Sequence, residues 1–114
     1  MVLTGDEHQN YAGELHLDGK RPGDTPIACE FVATSITSGG NGQDQRSDTA
    51  AIQQENQQLK WHNAQRGYVI CEVTPELWTT EFKTLDTVTE RGGEIRTRQR
   101  MAVENGRPES LAEA

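Results

Sequence analysis

"GYVICEVTPELWTTEFKTLDTV", residues 67–88, is the stretch whose alternation decides how this chain folds. Val69, Cys71 and Val73 fall on one side of an extended chain, and after the turn signal Thr74–Leu77 the even positions include Trp78, Phe82 and Val88. Successive side chains of a strand point to opposite faces, so a period of two in β-branched and aromatic residues predicts two half-buried strands and a hairpin. Downstream, "ERGGE" (90–94) interrupts the pattern. In "IRTRQRMAV" (95–103), Ile95, Thr97, Gln99, Met101 and Val103 then share one side while Arg96, Arg98 and Arg100 take the other. An antiparallel meander of three strands follows. The arginine stripe reads as a solvated face paired with strand carboxylates such as Glu81, the alternative being an anion-binding strip. Asn105-Gly106 is a turn pair, Pro108 removes a ladder donor, and residues 109–114 are expected to fray.

Working upstream, Met1–Thr4 suits a short strand that stops at Gly5, and "IACEFVATSIT" (27–37) reads as a mostly buried strand ending before Gly39 and Gly40. Between them "HLDGKRPGDTP" (16–26) is loop chemistry with two turns. Ser47 or Asp48 is placed to cap a short helix in "SDTAAIQQENQQL" (47–59), which has only Ala51, Ile52 and Leu59 to bury. The fold class is therefore β-rich α+β: antiparallel strands with one short helix.

The bulk numbers narrow the function. A chain of 114 residues is one domain at most, and 32% hydrophobic with 5% aromatic residues leaves a thin core made by a few well-placed strands. A formal charge of -7 argues against nucleic acid and against an anionic membrane surface as partners, because both are held by concentrated Lys and Arg. No apolar run approaches the roughly 20 residues of a bilayer span, and no basic-then-apolar secretory leader is written in these residues. Cys29 and Cys71 form no C-x-x-C pair, which removes zinc-ribbon and thioredoxin-like chemistry. Both sit in apolar runs and read as buried thiols, with a single disulfide as the alternative.

Chemistry concentrates in "GDEH", residues 5–8. Asp6 and His8 stand two apart in a loop that Gly5 allows to bend, so a carboxylate oxygen and an imidazole nitrogen can turn toward one metal ion. The same four residues also fit a plain strand-end turn in which Asp6 caps backbone amides and His8 is exposed. His16 and His62 are lone imidazoles without a partner at ligand spacing, and read as satisfied or exposed. Trp61 and Tyr68 read as packing anchors. "SGGNG" (38–42) lacks the Lys-Ser/Thr of a phosphate loop and reads as a mobile rim. No G-x-S-x-G elbow occurs and neither cysteine has a His nearby in sequence, so covalent catalysis is not supported.

Four blocks in order, "LTGDEHQNYAGEL" (3–15), "PIACEFVATSITSGGNG" (26–42), "NAQRGYVICEVTPELWTTEFKTLDTV" (63–88) and "AVENGRP" (102–108), resemble the C-terminal part of PhoD-like alkaline phosphatases and phosphodiesterases. The resemblance covers about residues 2–108. It implies that the chain is a fragment of a calcineurin-like metallophosphoesterase two-sheet sandwich, with residues 1–108 in the phosphatase domain and 109–114 a tail. It implies hydrolysis of phosphate mono- or diesters with iron and calcium as cofactors. Asp6 and His8 fall on the family's G-D-x-H loop and are implied as metal ligands or neighbours of the bound phosphate, with His8 also catalytic and Asn10 a further candidate. Glu30 and Ser35 fall on a family strand near the substrate mouth, where a solvent-facing strand residue is the plainer reading.

The upstream ligand blocks of that family are not among these residues. The isolated chain is therefore expected to bind metal weakly or not at all, to be inactive, and to pair with a missing N-terminal part or self-associate through the raw edge of Val2–Thr4. The resemblance implies an exported parent, periplasmic or secreted. A different class of reading is a stand-alone, non-catalytic β-rich binding or structural module.

Overall fold

Phe82 is the centre of the core: fully buried, it lies with its ring 4.6 Å from Trp61 and 6.2 Å from Phe31. These three aromatics come from two sheets that face each other. Phe31 joins Ala12 and Cys29 on one side, and Phe82 joins Met101 and Val103 on the other, with Trp61, Val69, Trp78 and Leu111 closing the margins. The computed structural model describes residues 1–17 and 25–114. The loop expected over residues 16–26 falls mostly on residues 18–24, outside the described residues.

The first sheet contains β1 (Val2–Thr4), β2 (Asn10–Leu15), β3 (Ala28–Val32), β4 (Gly42–Gln43) and β5 (Leu59–Gln65), in the order β1-β3-β2-β5-β4. Its pairs are antiparallel except β1 with β3, which run parallel with Val2 opposite Glu30. The helix α1 (Thr49–Glu55) sits between β4 and β5. The second sheet is an antiparallel meander of β6 (Gly67–Val73), β7 (Leu77–Leu85), β8 (Ile95–Glu104) and β9 (Arg107–Glu113). The β-rich two-sheet architecture with one short helix is thus the one that the sequence predicts.

Details depart from the pattern, each for a local reason. Segment 109–114 does not fray: β9 pairs with β8 through Met101 opposite Glu113 and Ala102 opposite Ala112, and Leu111 closes on the core. Pro108 is tolerated because β9 is an edge strand whose register shifts near it, where a missing N–H costs nothing. The second sheet accordingly continues past residue 108.

In β8 the strict alternation of Arg96, Arg98 and Arg100 is broken. Phe82 pairs with Gln99 but Lys83 pairs with Thr97, so Arg98 is the extra residue of a β-bulge and Arg96 comes opposite buried Thr84. Arg100 approaches Glu81 at 3.8 Å, as the stripe predicts, whereas Arg98 turns to Asp44 of the other sheet through two 2.9 Å bonds. Asp44 also accepts from Asn63, and its carboxyl is held below the usual range chiefly by the hydrogen bond from Arg98.

The strand expected over residues 27–37 is only Ala28–Val32, with Ile27 and Ile36 exposed at its flanks. In α1 the capping residue is Asp48, but its carboxylate turns to Arg46 at 3.1 Å and makes no cap bond. That helix buries Thr49, with Ala51 left exposed. Both cysteines are free: Cys29 donates to the Pro108 carbonyl at 3.2 Å, and burial pushes its thiol up to about 11.

The chain crosses from the first sheet to the second at Arg66-Gly67. A Cβ on Gly67 would stand 1.8 Å from the Lys83 carbonyl oxygen, so the close approach of β6 to β7 at this corner needs glycine. Replacing the central ring tests the shared core: Phe82→Ala is expected to cost about 3–5 kcal/mol of unfolding free energy. Urea denaturation should show a lowered midpoint and both sheets melting in one transition.

Candidate functional site

The loop that carries Asp6 and His8 joins β1 to β2 and exposes both side chains. Both residues adopt left-handed backbone conformations, with φ of 76° at Asp6 and 57° at His8. Among the described non-glycine residues they are the two with positive φ, and they flank a single Glu7. Such conformations cost roughly 1–3 kcal/mol each and persist only where the surroundings over-determine them.

At His8 the loop meets Arg66. Its guanidinium is buried, the residue being 8% exposed. Nη1 donates to the His8 carbonyl and, at 3.4 Å, to the Thr34 hydroxyl. Nε donates to the Gly40 carbonyl at 2.9 Å and Nη2 to the Gly39 carbonyl at 3.2 Å. Among the described residues no carboxylate pairs with this cation, so its charge is met by carbonyl and hydroxyl dipoles alone. The "SGGNG" segment is tied on its other side by Asn41, whose Oδ1 accepts from the Val88 amide at 2.7 Å and from the Thr89 amide at 3.2 Å. The expected mobile rim is therefore anchored at both flanks.

One residue past His8, Gln9 Oε1 accepts from His62 Nε2 at 2.6 Å and from the Tyr11 hydroxyl at 3.1 Å. The other ring nitrogen, Nδ1, faces the Thr49 hydroxyl at 2.8 Å, and that hydroxyl accepts the Arg46 amide at 2.9 Å. With Gln9 accepting at Nε2, the Thr49 hydroxyl donates to Nδ1, which fixes a neutral imidazole. Tyr11 stacks on the ring at 4.6 Å. Burial, then the nearby Arg46 charge, lower the His62 pKa below its ordinary value, against an opposing pull from Asp48. His62 is thus a satisfied structural histidine, as its isolation in the sequence suggests.

Asn10, the further candidate, is fully buried. Its amide donates to Asn63 Oδ1 at 3.1 Å and to the Gln65 carbonyl at 3.4 Å, while its oxygen accepts the Thr34 amide at 3.1 Å. Those bonds lock β2 to β5 and the chain after β3, so Asn10 serves the framework. Glu30 accepts the Thr4 hydroxyl at 2.8 Å, between β1 and β3, and Ser35 donates to the Ser38 carbonyl at 2.8 Å.

A cleft of about 380 Å³ opens beside the loop, lined in part by Glu7, His8, Gln9, Gln43, Arg46 and Arg66. His16 lines a different cleft, with Tyr11, Glu14 and Ile52. A carboxylate and an imidazole are the donor types that suit a hard or borderline metal cation. Among the described residues no group of three His, Cys, Asp or Glu stands together where an ion could be held. Sequence reasoning found the loop but missed Arg66 and Gln9. The arginine's available signal was its place in "QRGY", next to a glycine that opens a strand.

Comparison with known proteins follows the same lines. A family model described as PhoD-like phosphatase matches residues 1–82. Alkaline phosphatase D of Bacillus subtilis (strain 168) is 47% identical over 98 residues, which is 86% of this chain. A solved structure described as "Structure of PhoD" superposes with a TM-score of 0.93 at 42% identity over 99% of the chain. The chain spans 17% of the length of that relative and 22% of that solved chain.

The buried imidazole sets a pH dependence. Its pKa is lower folded than unfolded, so the unfolded chain takes up the proton first. The His62 contribution to stability is complete above about pH 6.5, the ordinary histidine value, and is lost as pH falls from there toward the folded pKa. Thermal unfolding followed from pH 8 to pH 5 should show this loss in the wild type, and His62→Gln should flatten that part of the profile.

Proposed function

Because the chain belongs to the PhoD-like phosphatase family, we propose that it supplies one wall of a metal-dependent site that hydrolyses phosphate mono- or diesters. The observation that carries this reading is the Asp6–His8 loop: two donor side chains exposed on two left-handed residues, held from behind by a buried guanidinium. Strain concentrated on two potential ligands is the kind of outlier from which a functional role is argued. Asp6 would hold an ion through its carboxylate. His8 would hold an ion or donate to a phosphoryl oxygen, and is the catalytic residue of this wall. Iron and calcium are the ions that the family resemblance implies, and such an ion supplies Lewis acidity toward a phosphoryl oxygen and acidifies water.

The same reading has the site completed by further residues and the 114-residue chain inactive alone. The family resemblance also supports a periplasmic or secreted enzyme. No helix of the described residues is long and apolar enough to cross a membrane.

Two assays test the reading. The 114-residue protein, supplied with iron and calcium, should not hydrolyse p-nitrophenyl phosphate or its bis-ester above the buffer rate. In a polypeptide of the relatives' length that carries these residues, Asp6→Asn and His8→Ala should each lower kcat by about 10²-fold or more, the scale of losing a group that acts on the reacting atoms. Turnover by the 114-residue protein that Asp6→Asn abolishes would sink the partial-site reading, and full activity in both variants would sink the role of the loop.

A further inference from the structure

Arg66 is the single residue between β5 and β6, and its side chain serves neither ladder. We propose that Arg66 is the positioning residue of the Asp6–His8 loop: its buried guanidinium binds the His8 carbonyl together with those of Gly39 and Gly40, so that two separate loops form one preset rim. The proposal rests on the reading of Asp6 and His8 as metal donors and adds the element that keeps them in place before any ion arrives.

The geometry works through the peptide plane. A carbonyl and the next amide share one rigid plane, so fixing the His8 oxygen on Nη1 orients the whole His8–Gln9 peptide. Gln9 is clamped in turn by His62 and Tyr11. Upstream, the Thr4 carbonyl accepts the Ala33 amide at 3.0 Å. Residues 5–7 are thereby strung between two fixed points, so the backbone that carries both donors is set before binding. Preset donors bind more tightly because that ordering cost has already been met in folding.

Arginine suits the task. A planar fork presents donors in several fixed directions and reaches three carbonyls and a hydroxyl at once, which a lysine ammonium on a flexible stem does not. A Cβ on Gly39 would stand 2.9 Å from Nη2, so glycine at this position lets the second loop come close to the guanidinium. The same contact gives the "SGG" segment a purpose other than cradling phosphate.

The test uses the ¹⁵N-labelled 114-residue chain with Mn²⁺ as probe. In the wild type, backbone order parameters of residues 6–9 and 39–40 should lie near the rigid value of about 0.85, and Mn²⁺ broadening should centre on Asp6 and His8. Arg66→Gln should drop those order parameters below about 0.6 while β7 and β8 stay rigid, and should weaken Mn²⁺ affinity at least tenfold. Arg66→Lys, which keeps the buried charge without the fork, should fall between the two. Phe82→Leu, which loosens the core, should leave Mn²⁺ binding unchanged and so separates positioning from general stability.

A folded Arg66→Gln protein with unchanged loop order and Mn²⁺ affinity would overturn the proposal. So would loss of folding in both arginine variants, which would make Arg66 part of the sheet-to-sheet framework. Loop disorder in Arg66→Gln with wild-type broadening that Asp6→Asn does not diminish would overturn the ligand reading and leave the hold of Arg66 on the loop standing.

Discussion

The donation of a buried guanidinium to backbone carbonyls is the constraint that ties two surface loops of this structure to one corner. Arg66 sits at the corner where the chain leaves one sheet for the other, so its backbone is fixed by both: the Leu85 amide donates to its carbonyl at 2.8 Å, and the next amide, of Gly67, donates to Ser35 at 3.1 Å. From that fixed corner the side chain reaches the His8 and Gly39–Gly40 segments. A buried cation is costly unless its hydrogen bonds are met, and here meeting them fixes the carbonyls of two loops. The two sheets set the corner, and the side chain that leaves it reaches both loops.

Around this corner the molecule substitutes polar packing for apolar volume. The inter-sheet core is small, and the adjoining layer is a set of buried polar groups: Asn10, Thr49, His62 and Asn63. Each finds partners. The Asn10–Asn63 pair joins β2 to β5, and the Thr49–His62–Gln9 chain joins α1, β5 and the start of β2. A satisfied polar network of this kind is directional where apolar contact is not, which suits a region that has to hold a surface loop in one conformation. Between the sheets, Arg98 and Asp44 form a further strut, made possible by the bulge that turns Arg98 out of its strand's alternation.

Some of this was legible in the residues. The hairpin of residues 67–88 could be read because β6 half-buries Val69 and Cys71 between exposed neighbours and β7 buries Thr80, Phe82 and Thr84 with half-buried Glu81 and Lys83 between them, an alternation that period-two patterning reports. The Asp6–His8 pair could be found because ligand-type side chains followed a strand and a glycine. Strands β2 and β5 passed unread because their inward residues include Asn10, Gly13, His62 and Asn63, whose burial rests on hydrogen bonds and close backbone approach and leaves no hydrophobic period. The edge strand β9 was obscured by Pro108, a residue that stops a central strand and is harmless at an edge.

The sequence by itself determined the class of fold, three of the four strands of the second sheet and the loop that bears Asp6 and His8, since these depend on local composition and on a period that side-chain direction imposes. Only the tertiary structure decided that Arg66 supports that loop, that Asn10 and His62 belong to the framework, and that Arg98 leaves its stripe. Each of those outcomes is a meeting of residues from separate strands: Arg66 with His8, Asn10 with Asn63, Asp44 with Arg98. Whether a polar side chain is a ligand, a strut or a solvated charge depends on what the fold brings against it, and no spacing along the chain records that.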